Sequence, residues 1–172
     1  MSQTVREARP ADATAVYRIA RESWHETYDP FLGAEAVESF VEQWYEIDDL
    51  ESSISGAADR EDATFLVAEA PDEYDTAVVG FAHAGPDPEN ADVAYLFRIY
   101  VKPDAWHDGI GTALLERAEA ELRGSFERFR MNVLAENELG RAFAESVGFE
   151  RIETVPSELD PDVDSLVYEK WL

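Results

Sequence analysis

Apolar positions along the chain follow two periods, and each change of period marks a new element. The opening "TVREARP" alternates with period two and predicts a short strand ending near Arg9. From Asp12, a residue type that caps helices, the period lengthens, and Val16, Ile19, Ala20, Ser23 and Trp24 share one helical face. A second helical pattern runs from about Ala34 through "VESFVEQWYEI". "ATFLVAEA" and "AVVGFAHAGP" then read as strands, and the polar "PDEYD" between them has the composition of a hairpin turn. "DVAYLFRIYVKP" is nearly continuously apolar and aromatic until Pro103 stops it, which predicts a mid-sheet strand covered on both faces.

In the second half, Ile110, Ala113, Leu114, Ala118 and Leu122 recur at helical spacing and Gly124 closes the helix. "RFRMNVLA" reads as a strand. Asn137 then caps a helix with Leu139, Phe143 and Val147 at i, i+4, i+8, and Gly148 ends it. "FERIETV" and "DSLVYEKWL" are the last two strands. No repeat or low-complexity linker intervenes, so the elements are expected in one mixed α/β sheet, with residues 1–172 as a single domain. Trp44, Tyr45 and Trp171 are candidates for an exposed interface, with the core as their alternative.

Composition narrows the chemistry. A chain of 172 residues buries roughly two thirds of its unfolded surface and needs no staple. No apolar run approaches the ~18 residues of a membrane span, and "MSQTVREARPADA" lacks the marks of a signal peptide, so a cytoplasmic location is expected. With no cysteine, disulfides, thiolate metal sites and cysteine nucleophiles are excluded. His25, His83 and His107 lie far apart without ligand spacing, so no metal is expected.

The 38 acidic and 14 basic residues give a net charge of −24, and lysine occurs only at Lys102 and Lys170. The acids are spread through an intact apolar pattern, which predicts a solvated acidic surface and not a disordered tail. A halophile's cytoplasm is the leading explanation, because at about 1 M salt the Debye length is roughly 3 Å and self-repulsion is screened. The rival, a surface made for a basic partner, would favour a clustered patch. A nucleic-acid partner is not expected, since phosphate binding needs a basic face.

The segment "WHDGIGTALLERAEAELRG", residues 106–124, places two glycines at a helix start. A helix N-terminus leaves N–H groups unpaired and carries about half a positive charge, so it suits an anion. Gly109 and Gly111 would let a pyrophosphate approach the backbone, and Thr112 adds a hydroxyl. The plainer alternative is a glycine-shaped strand-to-helix turn. A dinucleotide fold or P-loop fits poorly, lacking the third glycine and any Gly-Lys-Ser/Thr.

"YLFRIYVKPDAWHDGIGTALLERAEAEL" followed by "MNVLAENELGRAFAESVGFERI" resembles the core of the GCN5-related N-acetyltransferase (GNAT) family, and "VREARPADATAVYRIARESWHETY" resembles its opening strand and helix. The resemblance implies a mostly antiparallel central sheet splayed at the cofactor cleft and flanked by about four helices. It also implies acetyl transfer from acetyl-CoA (coenzyme A) to an amine. By position, Ile99, Tyr100 and Val101 would offer backbone groups to the pantetheine arm, and the pyrophosphate would lie on His107, Asp108, Gly109, Ile110, Gly111 and Thr112. Asn137 matches the family's asparagine near the thioester, with a simple helix cap as its alternative. Trp24 and Tyr28 match the acceptor-pocket wall, or else staple helix to sheet, and His25 between them is expected to be exposed.

Four positions depart from the family pattern. Trp106 stands where the family has Arg or Gln, and Asp108 where a basic residue is frequent. Ala144 replaces the tyrosine that protonates the leaving thiolate. The family's frequent carboxylate base falls at Tyr95, so Tyr95 and Tyr100 are the candidates for relay or acid, with sheet aromatics as their alternative. Direct transfer in a ternary complex is the expected mechanism, and a polyamine, amino acid, amino sugar or protein N-terminus the expected acceptor. A homodimer is common in the family. The competing readings are a non-catalytic acyl-CoA binding or sensing module and an acidic adaptor with a vestigial cleft.

Overall fold

The changes of period become a sheet with helices on both faces. The computed structural model describes residues 4–71, 76–106, 108–157 and 162–172. Strand β1 (Thr4–Glu7) leads through a 3-10 turn into helix α1 (Ala13–Leu32). Helices α2 (Ala34–Trp44) and α3 (Ile47–Ala58) follow, then strands β2 (Thr64–Pro71), β3 (Thr76–Asp87) and β4 (Asn90–Val101). A loop leads to α4 (Ile110–Leu122), and β5 (Arg128–Leu134), α5 (Glu138–Ser146), β6 (Glu150–Pro156) and β7 (Asp164–Trp171) complete the order. The sheet runs β1-β2-β3-β4-β5-β7-β6, and only β4 and β5 pair in parallel. This is the mixed, mostly antiparallel sheet the sequence predicts; "PDEYD" falls largely outside the described residues.

Two apolar layers sandwich the sheet. Leu114, Leu115 and Leu122 of α4 pack with Leu66, Ala82 and Phe129 on one face. Val16 and Ile19 of α1, Val37 and Val41 of α2, and Leu50 and Ile54 of α3 cover the other, against Phe65 and Phe81. Fully burying a Leu or Val side chain contributes roughly 1.5–3 kcal/mol.

Three expectations need correction. Among the described residues there are five α-helices, not about four: the second pattern breaks at Tyr45 and Glu46, and Leu50, Ile54 and Ala57 form the buried stripe of α3. The run "LESSISGAA" hides that stripe among Ser and Gly, which are poor helix formers. Asp12 does not cap α1 with its side chain; its carboxylate accepts the Arg9 N–H at 2.8 Å and two Arg6 N–H groups at 2.9 and 3.0 Å. In α5 the buried residue is Ala144, while Leu139 is exposed.

The feature that positions the site is a bulge in β4. His83 faces Arg98 and the next β3 residue, Ala84, faces Leu96, which leaves Phe97 as an extra residue. Such a bulge bends its strand. Strands β4 and β5 pair only at Ala94 with Phe129 and Tyr95 with Arg130, and then part. The half of β4 from Phe97 to Val101 therefore has β3 on one edge and open space on the other.

Candidate active site

That space is a cleft of about 460 Å³. One end is built from main chain. The Lys102 amide donates to Val79 O at 2.7 Å, and antiparallel bonding alternates along a strand. The backbone groups of Ile99 and Val101 therefore turn away from β3, into the cleft. Val101 O already accepts from Ser23 Oγ at 2.9 Å and Trp106 Nε1 at 2.7 Å, which fills its two lone pairs. Val101 thus has only its N–H to offer, whereas Ile99 turns both groups to the cleft. Trp106, in the family's Arg/Gln position, staples the loop to the end of β4.

The cleft continues to the start of α4, where Gly109, Ile110, Gly111 and Thr112 line it. The first intrahelical bond is from Ala113 N–H to Gly109 O at 3.0 Å, so the amides of Ile110, Gly111 and Thr112 have no acceptor within the helix. The two glycines also meet local constraints of the fold. Gly109 has φ +80°, the left-handed region where a Cβ is strained. A Cβ on Gly111 would lie 3.2 Å from the Phe143 ring, so that glycine lets α5 pack on α4. Asp108 is exposed beside the loop and does not line the cleft, and His107 lies outside the described residues.

The other end is built from side chains. Tyr28 lines the cleft, and Trp24 backs it with ring centroids 4.7 Å apart. Trp24 also packs on Tyr45 and Tyr100, each at 6.3 Å. Tyr45 is buried, correcting the expectation of exposure, while Trp44 stacks on Phe40 at 5.1 Å and Trp171 is exposed. Burial holds the Tyr28 hydroxyl up at about 12, although Asn137 pulls the other way. Burial likewise raises Tyr100 well above the usual tyrosine range.

Asn137 joins the two ends. Its Oδ1 accepts the Gly140 N–H at 2.9 Å, capping α5, which orients Nδ2 to donate to Tyr28 Oη at 3.2 Å. Gly140 has no space for a side chain, since a Cβ would lie 2.6 Å from Asn137 Nδ2. The two readings of Asn137 are thus compatible: it caps a helix and also reaches a cleft tyrosine. Tyr95 does not line the cleft; it sits at the fork of β4 and β5 beside Phe97, 5.5 Å between ring centroids. His25 bridges α1 and α2, bonding to Asp29 at 2.8 Å and Glu38 at 2.7 Å, away from the cleft lining. Among the described residues, no three His, Asp or Glu side chains could hold a metal ion, and no helix is long and apolar enough to cross a membrane.

Sequence reasoning passed over Ser23, which it placed on the core face of α1, and Arg98. The signal for Arg98 was a lone charge in an otherwise apolar strand.

A splayed sheet whose cleft ends on a glycine-started helix is the arrangement that the resemblance to the acetyltransferases implies. The family model described as Acetyltransferase (GNAT) family matches residues 14–149, and the chain belongs to that family. It is 32% identical over 151 residues to the spermidine N(1)-acetyltransferase of Thermoplasma acidophilum, covering 87% of this chain and 89% of that protein. Its fold matches the crystal structure of PaiA N-acetyltransferase from Thermoplasma acidophilum in complex with coenzyme A, with TM-score 0.85, 28% identity and 100% of both chains covered. It also matches ribosomal-protein-alanine N-acetyltransferase from Brucella melitensis, with TM-score 0.66, 25% identity, and 98% and 99% covered.

Proposed function

We propose that this acetyltransferase moves the acetyl group of acetyl-CoA directly to a small primary amine while both are bound in the cleft. The observation that carries the reading is the continuity of the open backbone edge at Ile99 with the unpaired amides of Ile110, Gly111 and Thr112. A thioester with a long polar arm and a pyrophosphate needs hydrogen-bond donors in that order. The whole chain acts as one domain in this reading.

In the transfer the neutral amine nitrogen attacks the thioester carbon and the C–S bond breaks; the nitrogen loses one proton and the thiolate takes one up, so the net transfer is of a proton from nitrogen to sulfur. An N–H directed at the thioester oxygen stabilises the charge that develops there, and the Ile99 amide is placed for that role. Asn137 donates to the Tyr28 oxygen, which leaves the Tyr28 O–H free to donate into the cleft. Burial keeps that proton in place at neutral pH. Tyr100, also lining the cleft and held protonated, supports Tyr28. With no cysteine in the chain, a thioester-linked enzyme intermediate has no residue to form on. Positioning supplies much of the remaining acceleration.

The net charge of −24 makes binding of an anionic cofactor depend on salt. Asp108 beside the α4 N-terminus repels phosphate in dilute buffer, and molar salt screens it. This supports a protein adapted to a salt-rich cytoplasm. One observation favours a second reading, cofactor binding without turnover: Ala144, fully buried in the core, supplies no proton where the family has tyrosine. Acceptor-dependent release of free thiol from acetyl-CoA, followed over a panel of primary amines in molar potassium chloride, separates the two. Thiol release supports transfer. Tight binding of acetyl-CoA with no thiol released by any amine supports the sensing module.

A further inference from the structure

Several half-buried basic side chains in this acidic chain pair with carboxylates: Arg6 with Asp12 and Glu69, Arg130 with Glu169, and Lys170 with Glu119. Half-buried Arg141 bonds instead to a backbone carbonyl, Ala135 O. Arg98 has neither kind of partner among the described residues. Its guanidinium lies 5.1 Å from the centroid of the Tyr45 ring, on the α1–α3 side of β4. Among the described residues no carboxylate comes within 4.0 Å of it and no hydrogen bond holds it. Asp49, at the start of α3, acts on it only from farther away.

One more polar atom on this side is buried without a partner, His83 Nδ1. His83 faces Arg98 across the β3–β4 ladder, and Trp24 packs on the same Tyr45 ring that Arg98 covers. Arg98 also lines the cleft, next to the bulge residue Phe97. A guanidinium taken out of water without an anion is costly, and its planar fork of donors fits a carboxylate with two parallel bonds. The pyrophosphate of the cofactor is not the missing anion, because its place is the α4 N-terminus at the other end of the cleft.

We infer that Arg98 binds a carboxylate of the acceptor, so that the preferred amine substrate is an amino acid and not a polyamine. The inference rests on reading the cleft as an acetyl-transfer site.

The test uses matched amines that differ only in the carboxylate: L-leucine against 3-methylbutylamine, and L-phenylalanine against phenethylamine, with spermidine as the polyamine. Each is offered with acetyl-CoA in molar potassium chloride and scored for thiol release. Calorimetry on the protein saturated with coenzyme A measures binding of the same amines separately. The carboxylated member is expected to be favoured by on the order of 30-fold in both readouts. Arg98→Met occupies similar space without charge and brings the amino acid down to the level of its partner; Arg98→Lys retains part of the preference. Retained coenzyme A binding shows that each variant is folded. Equal use of both members, a preference for spermidine, or equal losses on both members in Arg98→Met would overturn the inference while leaving acetyl transfer standing. Arg98-dependent binding of amino acids with no thiol released by any amine would sustain the anion site and defeat the transfer reading.

Discussion

The two ends of the cleft are built from different materials. The end proposed for the cofactor offers backbone amides at Ile99, Ile110, Gly111 and Thr112, fixed by a strand that lost its neighbour and a helix that starts at Gly109. The end proposed for the acceptor offers side chains of Tyr28, Arg98 and Tyr100, carried by α1 and β4, with Tyr45 of the α2–α3 junction under Arg98. Backbone dipoles bind anions without a charged side chain, so a chain with net charge −24 can keep a phosphate site without basic side chains there, at least where salt screens its surface. Side chains vary freely, so the acceptor end is where specificity resides. This division predicts that changes at one end leave the other working.

The largest expected effect is acidic loss of stability on the acceptor side of the sheet. Burial, reinforced by the Arg98 charge, lowers His83 to about 3. A depressed value in the folded state means that the stabilisation is present above the unfolded value of about 6.5 and is lost as pH falls toward 3, a loss on the order of a few kcal/mol. His25 has the opposite sign. Burial lowers it, but Glu38 and Asp29 together raise it, so its contribution is lost as pH rises, and solvent screens it. Denaturant unfolding from pH 7 to pH 4 should show the fall in wild type and a flatter profile in His83→Phe, which keeps the stack on Phe65 at 4.8 Å.

Next in size is Tyr28→Phe, which removes the donor and keeps the ring. We expect kcat to fall about 100-fold, with little change in the affinity for acetyl-CoA. A fall in affinity with kcat intact would instead make Tyr28 a wall of the acceptor pocket and nothing more.

Gly109→Ala reverses the pattern. Among the described residues a Cβ there meets nothing within 4 Å, so the cost is the left-handed backbone alone, about 1–2 kcal/mol. Calorimetry should show weaker acetyl-CoA binding and unchanged acceptor discrimination. The smallest effect is Asp108→Asn, which should improve acetyl-CoA affinity a few-fold in dilute buffer and hardly at all in molar salt, as roughly 3 Å of screening length implies. An equal gain in both conditions would separate Asp108 from the salt dependence.

The same division sets what the sequence made legible. Strand order, the mid-sheet strand and the glycine-started helix follow from period, Pro103 and the "DGIG" run, because backbone geometry leaves strong marks. Gly109 and Gly111 both line the cleft, and the structure adds two constraints that the sequence does not announce: a positive φ at Gly109 and the Phe143 ring against Gly111. The break between α2 and α3 was missed because Tyr45 continues the apolar pattern while its backbone leaves the helix. The acceptor end was hardest to read. Arg98 faces Tyr45 only because Phe97 bulges out of register, and a one-residue bulge leaves no mark in an apolar run.

The central claim is that both substrates meet in this cleft and that the acetyl group passes between them without stopping on the protein. Mass spectrometry of a single turnover tests it most directly: protein preloaded with acetyl-CoA is mixed with the amine of the panel that releases thiol fastest, in molar salt, and quenched over time. The account predicts the acetylated amine appearing in step with free coenzyme A, while the protein mass never changes. Acetylated protein forming before the product, or coenzyme A staying acetylated throughout, would contradict it.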